Sequence, residues 1–578
     1  MIHVPNKRMN TERVDDLPII YGLLQKMDIQ ANIDNVITPH GHWQGLSPGW
    51  VITIWLMHIL SEHSHCMVHV QEWAKKRLTV LQRLTGQPVQ ELDFTDDRLA
   101  ICLRDLQPRE NWTEIEAGIG RTTIRVFQLE DNNTVRFDAS NGTVYHNPAK
   151  HSLFKVGKAK NGLFETQFKL MMGSLDPFGF PLVADVLPGN KADDPLYIPC
   201  YRRVKEILNR DGLLAIGDSK MSALAIRARM AANNDYYLTP LAYLKDEPKL
   251  LDKLLEEQAG RENEMERIFF PEDIPENGDE PDPELAVAYG FEVERTCVGQ
   301  VDGQKEVWTE RLLVVRSFNY VQTMQGGLHR RLNKAEKALR ALTPQRGRGK
   351  RQIKDQDSFD AAVARIEKKY RVQGLFIISH EKEVIERKIG KYRGKPARVE
   401  RKVRFQLLLE RNQEAIAHAE FKAGWRIYAT NALQEQLPLS KAVLLYRDQY
   451  IQENIFRRLQ GKLLSITPVY VQRDDHAEGL FHLLTIAARL LALGDYVACQ
   501  ALAEEKSELS GIYTSQPKRS TATPTTERLL RAFDNIHLMW ADFADSRIYE
   551  IDRLSPVQQR IVALLGLPQS LYINLQNG

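Results

Sequence analysis

Two aspartates in this chain stand at the ends of short apolar stretches. Thr134-Val135-Arg136-Phe137 is strand-like and runs into Asp138, and Leu213-Leu214-Ala215-Ile216-Gly217 runs into Asp218. A carboxylate at a strand end is either a turn former or a cation ligand. Taken singly, each reads as a turn cap. If the two strands lie near each other in one sheet, the carboxylates repel unless a cation sits between them. Hard oxygen donors with open water positions describe a magnesium site. Holding two ions needs a third acid, and Glu453 is the candidate. It lies in Tyr446-Arg447-Asp448-Gln449-Tyr450-Ile451-Gln452-Glu453-Asn454-Ile455-Phe456. There Leu445, Phe456 and Leu459 mark an apolar side, and Tyr446, Tyr450 and Glu453 recur along one helical face. An aromatic and acidic face suits a cleft that holds DNA; the plainer alternative is an ordinary surface glutamate. No Ser, Cys or His arrangement of a nucleophilic catalyst stands out.

The elements that must position these acids are a meander and a parallel pair. Thr134–Asp138, Thr166–Ser174 and Pro181–Val186 read as consecutive strands. Turns fall at Ala139-Ser140-Asn141-Gly142 and Asp176-Pro177-Phe178-Gly179, and Pro188-Gly189 closes the third strand. Asp193-Asp194-Pro195 then opens a helix to about Asn209, Ser222–Asn233 reads as a second helix, and Tyr236–Pro240 as a further strand. The order β-β-β-α-β-α-β mixes an antiparallel half with a parallel half, an α/β core. Residues 126–244 hold this first part of it.

Upstream, residues 1–125 read as a helical N-terminal domain, either DNA-binding, dimerising or without an assignable role. Its helices are Leu17–Met27, Pro48–Ser61 with Ser47 as N-cap, Val68–Leu84 and Asp96–Leu106. Residues 245–424 form an α+β insertion. It holds the acidic loop Glu276–Glu284, strands Phe291–Cys297 and Trp308–Arg316, and charged helices Val321–Leu342 and Phe359–Val372. Two of its segments are basic: Gln345–Arg351, and Glu386–Arg404 with nine Lys or Arg against two Glu. Such runs are usually solvated faces, and two of them together also suit a phosphate backbone. Residues 425–508 resume the core with a strand from Trp425 to Asn431, a long helix from Leu439 to about Leu464, and an apolar helix Ala477–Glu505. Residues 509–578 read as a linker, Leu509–Thr526, and a helical C-terminal region with helices Thr526–Asp545 and from Ser555-Pro556 onward.

Composition narrows the class. At 578 residues the chain has room for roughly two to four domains. A net charge of +3 permits a nucleic-acid partner without demanding one. Cys66, Cys102, Cys200, Cys297 and Cys499 are scattered with no CxxC pair, so neither a disulfide frame nor a zinc site is expected. The N-terminus lacks a signal-peptide core, and the apolar run Trp50–Leu60 is too short for a bilayer. A cytoplasmic protein with no membrane partner is the expectation.

The ordered set of motifs resembles the DDE-type transposases of bacterial insertion sequences, the cut-and-paste class with a β-rich insertion in an RNase-H-like core. The matching stretches are Phe137-Asp138-Ala139-Ser140, Pro188-Gly189-Asn190 with Asp193, Ile216-Gly217-Asp218-Ser219, and Tyr446 to Phe456. The resemblance implies an RNase-H-like mixed sheet in which Asp138, Asp218 and Glu453 are catalytic and bind two Mg²⁺ ions (or Mn²⁺) about 3.5–4 Å apart. It also implies cleavage at the element's terminal repeats, strand transfer into target DNA, a homodimer assembled on DNA, and a place at the nucleoid. In the family's last motif Arg and Lys accompany the Tyr and Glu. Here Gln449 and Gln460 occupy those positions, and Arg447 and Lys462 are the nearby cations. Tyr446, Arg447 and Lys462 are the expected DNA contacts, and Trp308 is a candidate to stack on a flipped base, though a strand Trp is more often core. The other readings are a decayed DNA-binding relative, motivated by Gln449 and Gln460, and a nuclease of the same core that does not join strands.

Overall fold

The structure is a computed structural model describing residues 9–577 apart from 160–161, 243–246, 259, 262–263, 345–352, 354, 392–393, 395 and 543–546. The basic run Gln345–Arg351 lies outside the described residues.

A 10-stranded mixed sheet forms the spine of the described residues. Its first strands, β1 (Thr134–Thr143), β2 (Phe164–Leu175) and β3 (Phe180–Pro188), are antiparallel, with β2 in the middle. Helix α1 (Tyr197–Leu208) leads to β4 (Leu214–Gly217), which lies parallel to β1. Helix α2 (Leu224–Ala232) leads to β5 (Tyr236–Pro240), parallel to β4. The mixed α/β order expected from sequence is therefore present. β1 does not stop at Asp138, however. Residues 139–142, expected as a turn, continue the strand, which runs on to the pair Thr143↔Gln167, because β2 is long enough to give their backbone groups ladder partners.

The insertion is not separate from this sheet. Strands β6 (Ala288–Val301) and β7 (Gln304–Ser317) form a hairpin, and β7 pairs with β8 (Trp425–Thr430), which pairs with β5. The remainder builds its own small core around Leu328, Leu332, Leu339, Phe376 and Ile416. There the two ends of the basic segment Glu386–Arg404 belong to a hairpin, Phe376–Ile389 with Arg398–Arg411.

Beyond β8 the expected single helix Leu439–Leu464 is two: α3 (Leu439–Arg447) and α4 (Tyr450–Gln460), interrupted at Asp448-Gln449. Helix α5 (Asp474–Glu504) is long and apolar enough to cross a bilayer by length and composition, but 83% of its most apolar window is buried inside the fold. It packs on β3, on α4 and on the N-terminal helix Asp96–Leu106. Consequently one hydrophobic cluster runs from Val14 to Leu575, and the N-terminal helices share their core with the sheet.

A buried charge cluster ties the layers together. Glu116, on the helix Arg109–Val126, accepts from Arg203 of α1 and Arg489 of α5. The Glu116 carboxylate also takes the Ala184 N–H at 3.0 Å, and Arg489 Nε donates to the Pro181 carbonyl at 2.6 Å. Glu116 and Arg489 are both fully buried.

Two helical expectations fail locally. Val68–Leu84 divides into Met67–Lys75 and Leu78–Thr85. Thr526–Asp545 stops as a helix at Arg531, where the chain turns through Asn535 at φ +68. His537–Asp542 and Arg547–Ile551 are then strands, the first lying between Met9–Arg13 and the second in a three-stranded sheet. The C-terminal region is thus mixed rather than helical. Its alternating strand finds a partner edge at the far end of the chain, which local periodicity does not report.

Candidate active site

Register brings the two aspartates together. Phe137 and Gly217 are partners in the parallel β1–β4 ladder, so Asp138 and Asp218 each follow a paired residue on adjacent strands. Asp138 Oδ1 accepts from the Ala139 N–H at 2.8 Å. Asp218 Oδ1 accepts from the Tyr197 hydroxyl at 2.7 Å and from the Lys220 N–H at 2.8 Å. Burial pushes the Tyr197 hydroxyl pKa up, and the negative charges of Asp218, Asp138 and Asp193 push it further. The hydroxyl therefore stays protonated and holds the carboxylate as a donor. Thr239 Oγ1 donates to the Asp218 carbonyl at 2.8 Å, tying the same turn to β5.

Helix α4 is held at both ends, on β1 at one and on the turn between β2 and β3 at the other. Gln460, where the family pattern expects Lys, donates to Ser140 Oγ at 3.0 Å and to the Asn141 carbonyl at 3.1 Å. At the other end the turn between β2 and β3 meets Ile451. Gly179 there has φ +70, and a Cβ on it would stand 2.8 Å from Ile451 Cγ2. Both the left-handed backbone and the close approach require glycine. Gly179→Ala is expected to destabilise the protein by about 1–3 kcal/mol, measured as a lower urea midpoint. An unchanged midpoint would mean that this turn does not seat α4.

Between these elements lies a cavity of about 190 Å³ lined by Asp138, Asp218 and Glu453 together with Arg136, Gln449 and Gln452. The aspartates are half-buried and Glu453 is exposed. Among the described residues, no group of three or more His, Cys, Asp or Glu is gathered tightly enough to hold a metal ion as it stands. The donors are hard carboxylate oxygens around a shared space, which suits Mg²⁺ in kind.

A second cavity, about 330 Å³, adjoins the first and shares Gln449 and Glu453 with it. Tyr446, Arg447, Tyr450, Tyr320 and Arg426 line it. Tyr446 is buried, and its ring centroid lies 4.8 Å from that of Tyr428. Arg426 lies 4.5 Å over the Tyr320 ring, and Arg447 lies 5.3 Å over that of Phe270. Lys462, also expected near DNA, is exposed just past the end of α4. Trp308 is a correction. It is buried against Ala228 and Cys297, and its indole N–H donates to the Tyr237 hydroxyl at 2.8 Å. A tryptophan committed in this way is core and is not placed to stack on a base.

Three lining or supporting residues escaped the sequence reading. Arg136 lies two positions before Asp138 on one strand, so alternation puts both on the same face, a signal available in advance. Tyr197 and Gln452 carried no such signal, since only the packing of α1 and α4 brings them to the carboxylates.

Residues 9–115 match the family described as "Domain of unknown function (DUF4277)", a range that holds the strand Met9–Arg13 and N-terminal helices and none of the ten-stranded sheet. No curated protein matches the chain. A solved structure, "Cryo-EM structure of piggyBac transposase synaptic complex with hairpin DNA (SNHP)", is similar at 9% identity and a TM-score of 0.31, over 84% of this chain and 76% of that one.

Proposed function

We propose that the chain is a DNA transposase of the DDE type, cleaving DNA at element ends and joining the freed ends to target DNA. The observation that carries the reading is that Asp138, Asp218 and Glu453, remote in sequence, line one cavity. The strand order supports an RNase-H-like core: β3, β2 and β1 antiparallel, then β4 and β5 parallel.

Asp138, Asp218 and Glu453 would hold Mg²⁺ or Mn²⁺, which when bound supplies Lewis-acid stabilisation to the attacking and leaving oxygens of an in-line displacement. Tyr197 and the Lys220 N–H keep the Asp218 carboxylate oriented for that task. Tyr446 and Arg447, in the adjoining cavity, would carry the DNA strand past the acids. The Arg447 guanidinium suits a backbone anion, and Tyr446, buried against Tyr428, would support the wall along which the strand runs. Lys462, exposed beyond α4, would meet phosphate. The same carboxylates serve cleavage and joining, with two chains assembled on DNA.

The test uses the full chain and duplex DNA carrying the sequences that flank its own coding region. Mg²⁺ or Mn²⁺ should yield cleaved ends with 3′-OH groups that join to a second duplex, and EDTA should abolish both. Cleavage without joining would identify a nuclease. Salt-sensitive DNA binding with no cleavage in either metal would identify a decayed relative, the reading that Gln449 and the structurally committed Gln460 favour.

A further inference from the structure

Two buried side chains that line the acid-lined cavity have hydrogen-bonding atoms without partners among the described residues. Gln452 is 3% exposed, and among the described residues neither its Oε1 nor its Nε2 has a hydrogen-bond partner. Arg136 is 2% exposed. Its Nε and Nη2 donate to Asp176 at 2.6 and 2.7 Å, while its Nη1 has no partner among the described residues. Both residues line the cavity with Asp138, Asp218 and Glu453. Leaving a buried amide unsatisfied is costly, and folded proteins rarely do so without a reason. A leucine of similar volume would fill the Gln452 position without that cost.

We infer that Gln452 and Arg136 are substrate-contacting residues that receive the scissile phosphodiester, Gln452 Nε2 and Arg136 Nη1 donating to a non-bridging oxygen and Gln452 Oε1 accepting from the attacking hydroxyl. The chemistry follows from what is unmet: donors and one acceptor on two side chains whose residues line one cavity. Asp176 offsets the charge of Arg136, so the pair does not draw anions by charge alone. It serves a group brought into place by other contacts, and its donors strengthen as negative charge grows on the phosphoryl oxygens. Arg136 approaches from β1 and Gln452 from α4, so the pair completes only when the helix is seated on the strand.

This inference rests on the transposase reading, and the experiment separates the two. Gln452→Leu in the full chain is compared with wild type for urea midpoint, DNA affinity and single-turnover cleavage at saturating duplex. The expected result is a higher midpoint, affinity unchanged within about twofold, and cleavage slowed about 10²-fold, the size of losing one preorganised donor. A phosphorothioate at a non-bridging position of the scissile linkage should slow wild type more than it slows Gln452→Leu. Cleavage by Gln452→Leu at the wild-type rate, with Asp138→Ala inactive, overturns this inference and leaves the transposase reading standing. A lower midpoint with full phosphorothioate sensitivity overturns it as well, because Gln452 is then a packing residue. Wild type that cleaves in no divalent metal overturns both.

Discussion

Asp138→Ala, Asp218→Ala and Glu453→Ala are each expected to lower metal-dependent DNA cleavage by about 10⁴-fold or more, and the triple substitution to be little worse than any single one. Groups that act as one unit lose their function together. The three carboxylates line the same cavity, so removing any of them leaves an incomplete donor set. DNA binding should persist in all three variants, because the tyrosines and arginines of the adjoining cavity are untouched. Asp138→Asn and Asp218→Asn serve as near-isosteric controls, and for Asp218 the amide oxygen retains an acceptor for the Tyr197 hydroxyl. The measurements are single-turnover cleavage in Mg²⁺ and a binding isotherm at fixed salt, since phosphate contacts make affinity salt-dependent. If all three alanine variants cleaved at the wild-type rate, the acids would not be the catalytic set.

Glu116→Ala is expected to destabilise the whole protein by about 3–5 kcal/mol, the effect of stranding buried guanidinium groups. Arg489 has no exposure and no other carboxylate partner in the cluster, whereas Arg203 keeps Asp185. The double substitution Glu116→Leu with Arg489→Met should recover much of that loss, because removing both charges also removes the desolvation they cost. Since Glu116 joins an N-terminal helix to α1 and α5, unfolding should remain one cooperative transition that moves as a unit. Urea denaturation followed at two probes, tryptophan fluorescence and far-UV circular dichroism, checks this. Separate transitions for the N-terminal helices would show that they fold as an independent domain.

Local sequence was sufficient where a pattern of neighbours decides the structure. Ser47 and Pro48 announce the helix that begins there, and its N-cap bond to the Trp50 N–H is present at 3.4 Å. The helix Asp96–Leu106 was legible from its acidic first turn and apolar spacing. The strand–helix alternation after Asp138 was legible too, because a short apolar run bounded by turn residues leaves little choice. That Asp138, Asp218 and Glu453 were the acids to watch also came from the chain alone, through strand ends and motif order.

Tertiary structure decided the rest, and in each case a distant partner was the reason. Residues 139–142 became strand because β2 offered ladder partners that no turn signal reveals. His537–Asp542 became strand because Met9–Arg13, at the opposite end of the chain, supplies the pairing edge. Trp308 became core once Tyr237 took its N–H. The placement of Glu453 beside the aspartates depends on contacts between α4, Gly179 and Ser140, and that of Gln452 and Arg136 on the burial those contacts create. Periodicity along a chain specifies which face of an element is apolar. Which other element covers that face, and which polar atoms are thereby buried, is settled only when the layers close.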